Sequence, residues 1–95
     1  TASSAQVQQE PSVETTEDTG IHINCSHPSI KTVDFIHWFR QFPGRGPERI
    51  EFIHKGTKEL RDPPGLLSVS EDRRSSALWL SHPRLRDAAV YYCAV

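Results

Sequence analysis

Asp87-Ala88-Ala89-Val90-Tyr91-Tyr92-Cys93 is the stretch that decides how this chain is read. Ala89–Val95 reads as a β-strand carrying a cysteine, with Tyr91 two residues before Cys93. Working back, Ile36-His37-Trp38-Phe39-Arg40-Gln41-Phe42 is a second strand. Alternation puts Ile36, Trp38 and Arg40 on one of its faces and Phe39 and Gln41 on the other. Both faces carry large apolar groups, so both need cover. Further back, after Gly20, comes Ile21-His22-Ile23-Asn24-Cys25-Ser26. Ile21, Ile23 and Cys25 alternate there with polar neighbours, which makes a half-buried strand with its cysteine on the core face.

The rest of the chain repeats this pattern in short pieces. Val7–Glu10 reads as an edge strand ended by Pro11, and Ser12–Thr15 as its continuation. His27–Asp34 is polar, contains Pro28 and reads as a loop. Pro43-Gly44-Arg45-Gly46-Pro47 is strong turn chemistry. A strand follows over Arg49–His54, then a tight turn at Lys55-Gly56-Thr57. Lys58–Gly65, charged and broken by proline, reads as loop or ragged edge. Leu67 and Val69, then Leu78 and Leu80, form a hairpin across Glu71-Asp72-Arg73-Arg74. Trp79 points by parity to the outer face, and His82–Ala88 is a connection with room for one helical turn. Seven to nine short strands at this spacing predict an all-β antiparallel sandwich in one domain over residues 1–95.

Composition narrows the function. Eleven Lys and Arg against twelve Asp and Glu give a net charge of −1. This near-neutrality argues against a nucleic-acid partner and against a polybasic membrane surface. No apolar run is long enough to span a bilayer. Ser, His and Asp are present, but there is no nucleophile elbow, phosphate loop or metal-ligand helix, so an enzyme is not expected. No cofactor is implied.

The two cysteines, Cys25 and Cys93, cannot make a metal site alone. His22 and His27 flank Cys25, but in a strand His22 and Cys25 face opposite sides. The five histidines are expected at the solvated surface and no metal is expected. A structural disulfide is the better reading, and it implies an oxidising compartment. Thr1–Ala5 holds no intact signal peptide and is compatible with the tail of a removed one. Asn24-Cys25-Ser26 is formally a glycosylation sequon, so Asn24 is a candidate acceptor.

Cys25, then Trp38, then Tyr91 and Cys93, in that order, resemble the immunoglobulin framework: a cross-sheet disulfide packed on tryptophan, with a tyrosine corner. Within it the chain looks like a variable domain, the span between cysteines leaving room for two extra edge strands. Trp38-Phe39-Arg40-Gln41 followed by Phe42-Pro43-Gly44-Arg45-Gly46-Pro47 resembles the framework of T-cell receptor alpha and delta variable regions. Cys93-Ala94-Val95 is similar to the germline end of an alpha segment. Antibody variable domains share parts of the pattern and remain an alternative, as does a stand-alone variable-type adhesion or signalling domain.

The resemblance implies an immunoglobulin variable-type β-sandwich lacking the final strand, which a joined segment encodes. It implies that Phe39, Gln41, Pro47 and Tyr92 face a second variable domain, of beta or gamma type. The first antigen-contacting loop would be Ser29-Ile30-Lys31-Thr32-Val33-Asp34-Phe35 and the second Ile53-His54-Lys55-Gly56-Thr57. The ligand would be peptide–MHC or an MHC-like molecule. The location would be the extracellular side of the plasma membrane, with the anchor outside this chain. One departure stands out: Leu66 occupies the place of an arginine that such domains pair with the aspartate matching Asp87.

Overall fold

Strict alternation builds the central strands. In β1 (Ile21–Ser26) the isoleucines and Cys25 turn inward, while His22 and Asn24 are exposed. In β2 (Ile36–Gln41) Ile36, Trp38 and Arg40 are buried, and His37, Phe39 and Gln41 are half-buried on the opposite side. β3 (Glu48–Ile53), β4 (Thr57–Arg61), β5 (Pro64–Val69), β6 (Ser75–Leu80) and β7 (Val90–Ala94) follow. A 3-10 turn over Leu85–Asp87 precedes β7. The structure is a computed structural model that describes residues 7–95; Thr1–Ala5, read as compatible with the tail of a removed signal peptide, lies outside the described residues.

The strands make two antiparallel sheets, β1-β6-β5-β4 and β3-β2-β7. Their inner faces enclose Ile36, Trp38, Ile53, Leu67, Leu78 and Leu80 with the two cysteines. Full burial of one such aliphatic side chain stabilises the fold by about 1.5–3 kcal/mol. A disulfide between Cys25 of β1 and Cys93 of β7 ties the sheets together, and Trp38 lies directly opposite Cys93 on the neighbouring strand. Closing a loop of 68 residues is worth about 4 kcal/mol in the chain-entropy account. Arg40 enters the interior with its charge compensated. Its guanidinium meets Glu48 at 3.1 Å and Asp62 at 3.5 Å, and lies 4.7 Å from the centre of the Phe42 ring. The two edge strands expected from the cysteine spacing are β3 and β4, one on each sheet.

Three expectations are corrected. Val7–Glu10 and Ser12–Thr15 do not form a strand, and a lone bridge from Gln8 to Ser26 is the pairing they make among the described residues. Here the chain passes from one sheet to the other. The Gln8 backbone bonds to β1, and the side chain of the next residue, Gln9, bonds to β7. Pro11 then removes a donor, so no ladder propagates. Lys58–Gly65 is mostly strand: β4 ends at Arg61 and β5 begins at Pro64. An edge strand tolerates charges, and proline is permitted at a strand's first residue, so neither feature breaks the pairing. Finally, His27 is fully buried. It continues the inward parity of Cys25 past the end of β1, and its ring Nε2 hydrogen-bonds Ser76 Oγ at 3.2 Å.

Trp79 faces outward from β6, as parity requires, and its ring lies 4.4 Å from that of His22. Gly20 makes room for it: a Cβ there would fall inside the indole.

Candidate functional site

The outer face of the three-stranded sheet carries a band of aromatic side chains. Phe39 of β2 sits opposite Tyr92 of β7, and the two rings stack at 5.2 Å with 17° between their planes. His37, two residues along β2, lies 6.4 Å from Phe39 and 5.8 Å from Phe52 of β3. Phe52 in turn meets Phe35 edge-on at 5.7 Å. Tyr92, Phe39, His37, Phe52 and Phe35 therefore run continuously from β7 to the loop that precedes β2. Phe35 and Phe52 are 42% and 37% exposed. The Arg49 guanidinium and the Lys58 ammonium lie 5.2 and 4.9 Å from the centre of the Phe52 ring, and Lys58 also pairs with Glu51 at 3.8 Å, so the rim is charged. Gln41 is held in place by donating from Nε2 to the Arg45 carbonyl at 2.7 Å, and Pro47 is exposed nearby. Such a face suits a flat protein surface: aromatics supply rigid contact area, and the amide and cations supply orientation.

One end of the sandwich gathers the loops between β1 and β2, β3 and β4, and β5 and β6. In the first, Asp34 Oδ2 accepts the Lys31 N–H at 3.0 Å, and the Asp34 N–H returns to the Lys31 carbonyl at 3.0 Å. Lys31, Thr32, Val33 and Phe35 are exposed, Val33 by 79%. Ile30 packs against the core and supports the loop from below. In the second, Gly56 takes φ +81°, a left-handed conformation that favours glycine. Lys55 and Gly56 are exposed, Thr57 opens β4, and Ile53 ends β3 buried at 4% exposure. The loops touch each other: His54 Nε2–H donates to the Thr32 carbonyl at 2.8 Å. Sequence reasoning missed the residue that joins them, Arg73. Its side chain donates to carbonyls of Lys31, Asp34 and His54. Contacts so distant along the chain leave no local signal.

At the other end Tyr91 Oη donates to the Asp87 carbonyl at 2.7 Å and closes the tyrosine corner. Burial, reinforced by the Asp87 charge, raises the Tyr91 pKa above the usual phenol range. The Asp87 carboxylate makes no ion pair among the described residues; it accepts the Arg84 N–H at 2.9 Å. Leu66 lies across the ladder from Trp79 and Glu59. Asn24 is exposed on the outer face of β1, opposite Ala77.

β7 is the edge of its sheet. Gln9 covers part of that edge: its Oε1 accepts the Cys93 N–H at 3.0 Å, and its Nε2 donates to the Tyr91 carbonyl at 3.5 Å. Sequence reasoning missed this residue too. Among the described residues no cluster of His, Cys, Asp and Glu has metal-binding geometry, and no helix is long and apolar enough to cross a membrane.

Residues 8–95 match the immunoglobulin V-set domain family. Human T cell receptor alpha variable 26-1 is 36% identical over 91 residues, a match covering 96% of this chain and 82% of that relative. Human T cell receptor alpha variable 2 is 36% identical over 90 residues, covering 95% of this chain and 75% of the relative. A solved chicken T-cell receptor chain is 67% identical and superposes with a TM-score of 0.90. That match covers 95% of this chain and 46% of the receptor chain, so this chain spans about half its length.

Proposed function

The chain belongs to the immunoglobulin V-set family and is a T-cell receptor variable domain, a non-enzymatic fold; from this premise we propose that it is the alpha-type (or delta-type) half of a paired antigen-recognition module. The observation that carries the proposal is the half-exposed stack of Phe39 on Tyr92, on a sheet face edged by Gln41 and Pro47. A second variable domain of beta or gamma type covers that face. Burying such aromatics is the largest favourable term available to this surface. The loops Ser29–Phe35 and Ile53–Thr57 then stand beside the third loop, which follows Cys93, and together they contact peptide–MHC or an MHC-like ligand. The module works on the extracellular side of the plasma membrane, where a disulfide persists.

The experiment is to co-express the full receptor chain carrying this domain with a beta chain and follow size-exclusion chromatography. A 1:1 heterodimer is the expected species. Elution of the two chains as separate, well-behaved monomers would favour a stand-alone receptor domain instead.

A further inference from the structure

We propose that Arg73 is a positioning residue that locks the first and second recognition loops to one turn, so that they present a single rigid surface. This rests on the reading of those loops as a recognition surface, but its geometry stands apart from any ligand.

Arg73 lies in the turn between β5 and β6, and that turn is itself stiff. Asp72 Oδ1 accepts the Ser70 hydroxyl at 2.7 Å and the Arg74 N–H at 2.9 Å. The Arg73 N–H closes onto the Ser70 carbonyl at 2.9 Å, and the Ser75 N–H onto Ser70 Oγ at 3.1 Å. The turn is also fastened to the exit of β1, where the His27 N–H donates to the Arg74 carbonyl at 2.8 Å. Arg73 has φ +61°, a conformation unfavourable for a side chain with a Cβ. Glycine would be more comfortable here, and the arginine keeps this conformation because the bonds around it over-determine the turn.

The side chain spans both loops. Nε donates to the His54 carbonyl at 2.8 Å, Nη1 to the Lys31 carbonyl at 3.0 Å and Nη2 to the Asp34 carbonyl at 2.6 Å. One planar cation thus satisfies a carbonyl of the second loop and two of the first. Charge-assisted bonds of this kind are among the stronger hydrogen bonds, and a guanidinium fixes their directions relative to one another. A lysine, with one nitrogen on a flexible stem, cannot reproduce the fork. The direct His54–Thr32 bond and the Phe35–His54 ring contact at 5.1 Å close the same junction from above. Loops ordered before contact lose less freedom on binding, so the clamp favours recognition without touching the ligand.

The test is amide hydrogen exchange on the full receptor chain paired with its beta partner, comparing Arg73→Gly and Arg73→Lys with the parent. Arg73→Gly remains compatible with the left-handed turn and removes the clamp, and Arg73→Lys removes the fork while keeping a side chain on the turn. The expected result is exchange at least about ten-fold faster in residues 31–35 and 54–56, together, with Trp38 and Leu78 amides unchanged. Arg73→Lys should restore only part of the protection. Loop exchange within about two-fold of the parent in Arg73→Gly would overturn the proposal. So would a rise spread equally through the strands, which marks general destabilisation. Failure of the parent chains to pair would sink the recognition reading, and loop exchange on the unpaired chain would still decide the role of Arg73.

Discussion

His27 packs beneath the turn that holds Arg73, with Nε2 on Ser76 Oγ and Nδ1 buried without a partner among the described residues. Burial pushes its pKa below the ordinary 6.5, and the Arg73 charge acts in the same direction. Backbone hydrogen bonds of His27 and Arg73, and the Asp72 carboxylate, oppose it more weakly. The folded chain therefore favours the neutral ring, whereas the unfolded chain binds a proton near pH 6.5. Between the two pKa values the unfolded state holds more protons, so stability rises with pH there. The contribution is complete above about pH 6.5 and is lost as the pH falls through the folded value. Urea unfolding at pH 7.5 and pH 5 should show a larger loss of stability for the parent than for His27→Gln. Equal losses would remove His27 from the account. A second side chain offers a steric test. Gly20→Ala places a methyl group within the Trp79 ring, and overpacking of this kind costs about 1–3 kcal/mol unless the indole can swing outward. Thermal unfolding of that variant reads the cost directly.

The elements legible in the sequence are those whose environment differs between their two faces. β1, β2 and β6 each alternate clearly, because one side meets the core and the other meets solvent or the aromatic band, whereas in β7 both Tyr91 and Tyr92 are half-buried and the cysteine marks the inner face. The first segment was misread, and β4 was legible only as loop or ragged edge, for one shared reason. Periodicity reports which way a side chain points, and is silent on which segment lies beside it. Gln9 and Cys93 are 84 positions apart and Arg73 and Lys31 are 42 apart, so neither pairing leaves a local pattern. The site was legible to the same degree. Phe39, Gln41 and Tyr92 follow from parity and framework resemblance, whereas Phe35 and Phe52 join the band only once β3 returns alongside β2. Gln9 supplies the test at this scale. It satisfies the Cys93 N–H and the Tyr91 carbonyl on the outer side of β7, and Gln9→Ala removes both bonds. A loss of about 1 kcal/mol in urea unfolding is expected, with faster exchange at the Cys93 amide. An unchanged Cys93 amide would show that the side chain is incidental to the edge.

Across the whole molecule the two sheets differ in what they leave outside. The four-stranded sheet shows solvent an outer face where Trp79 lies against His22 over Gly20. The three-stranded sheet presents aromatics that reach from Tyr92 to Phe35, with β7 at one edge among the described residues. The same sheet leads into the loop end, where Arg73 gathers the first two loops. On the proposed function, the first of these surfaces meets a neighbouring domain and the second, beside it, meets a ligand. The most direct measurement is the affinity of the full receptor chain for its beta partner, with Phe39→Glu compared against the remote control Asn24→Gln. Placing a carboxylate in the centre of the half-exposed stack should weaken pairing by about a hundred-fold or more, while the control pairs like the parent. Pairing by Phe39→Glu at the parent's affinity would contradict the assignment of this face to the partner domain.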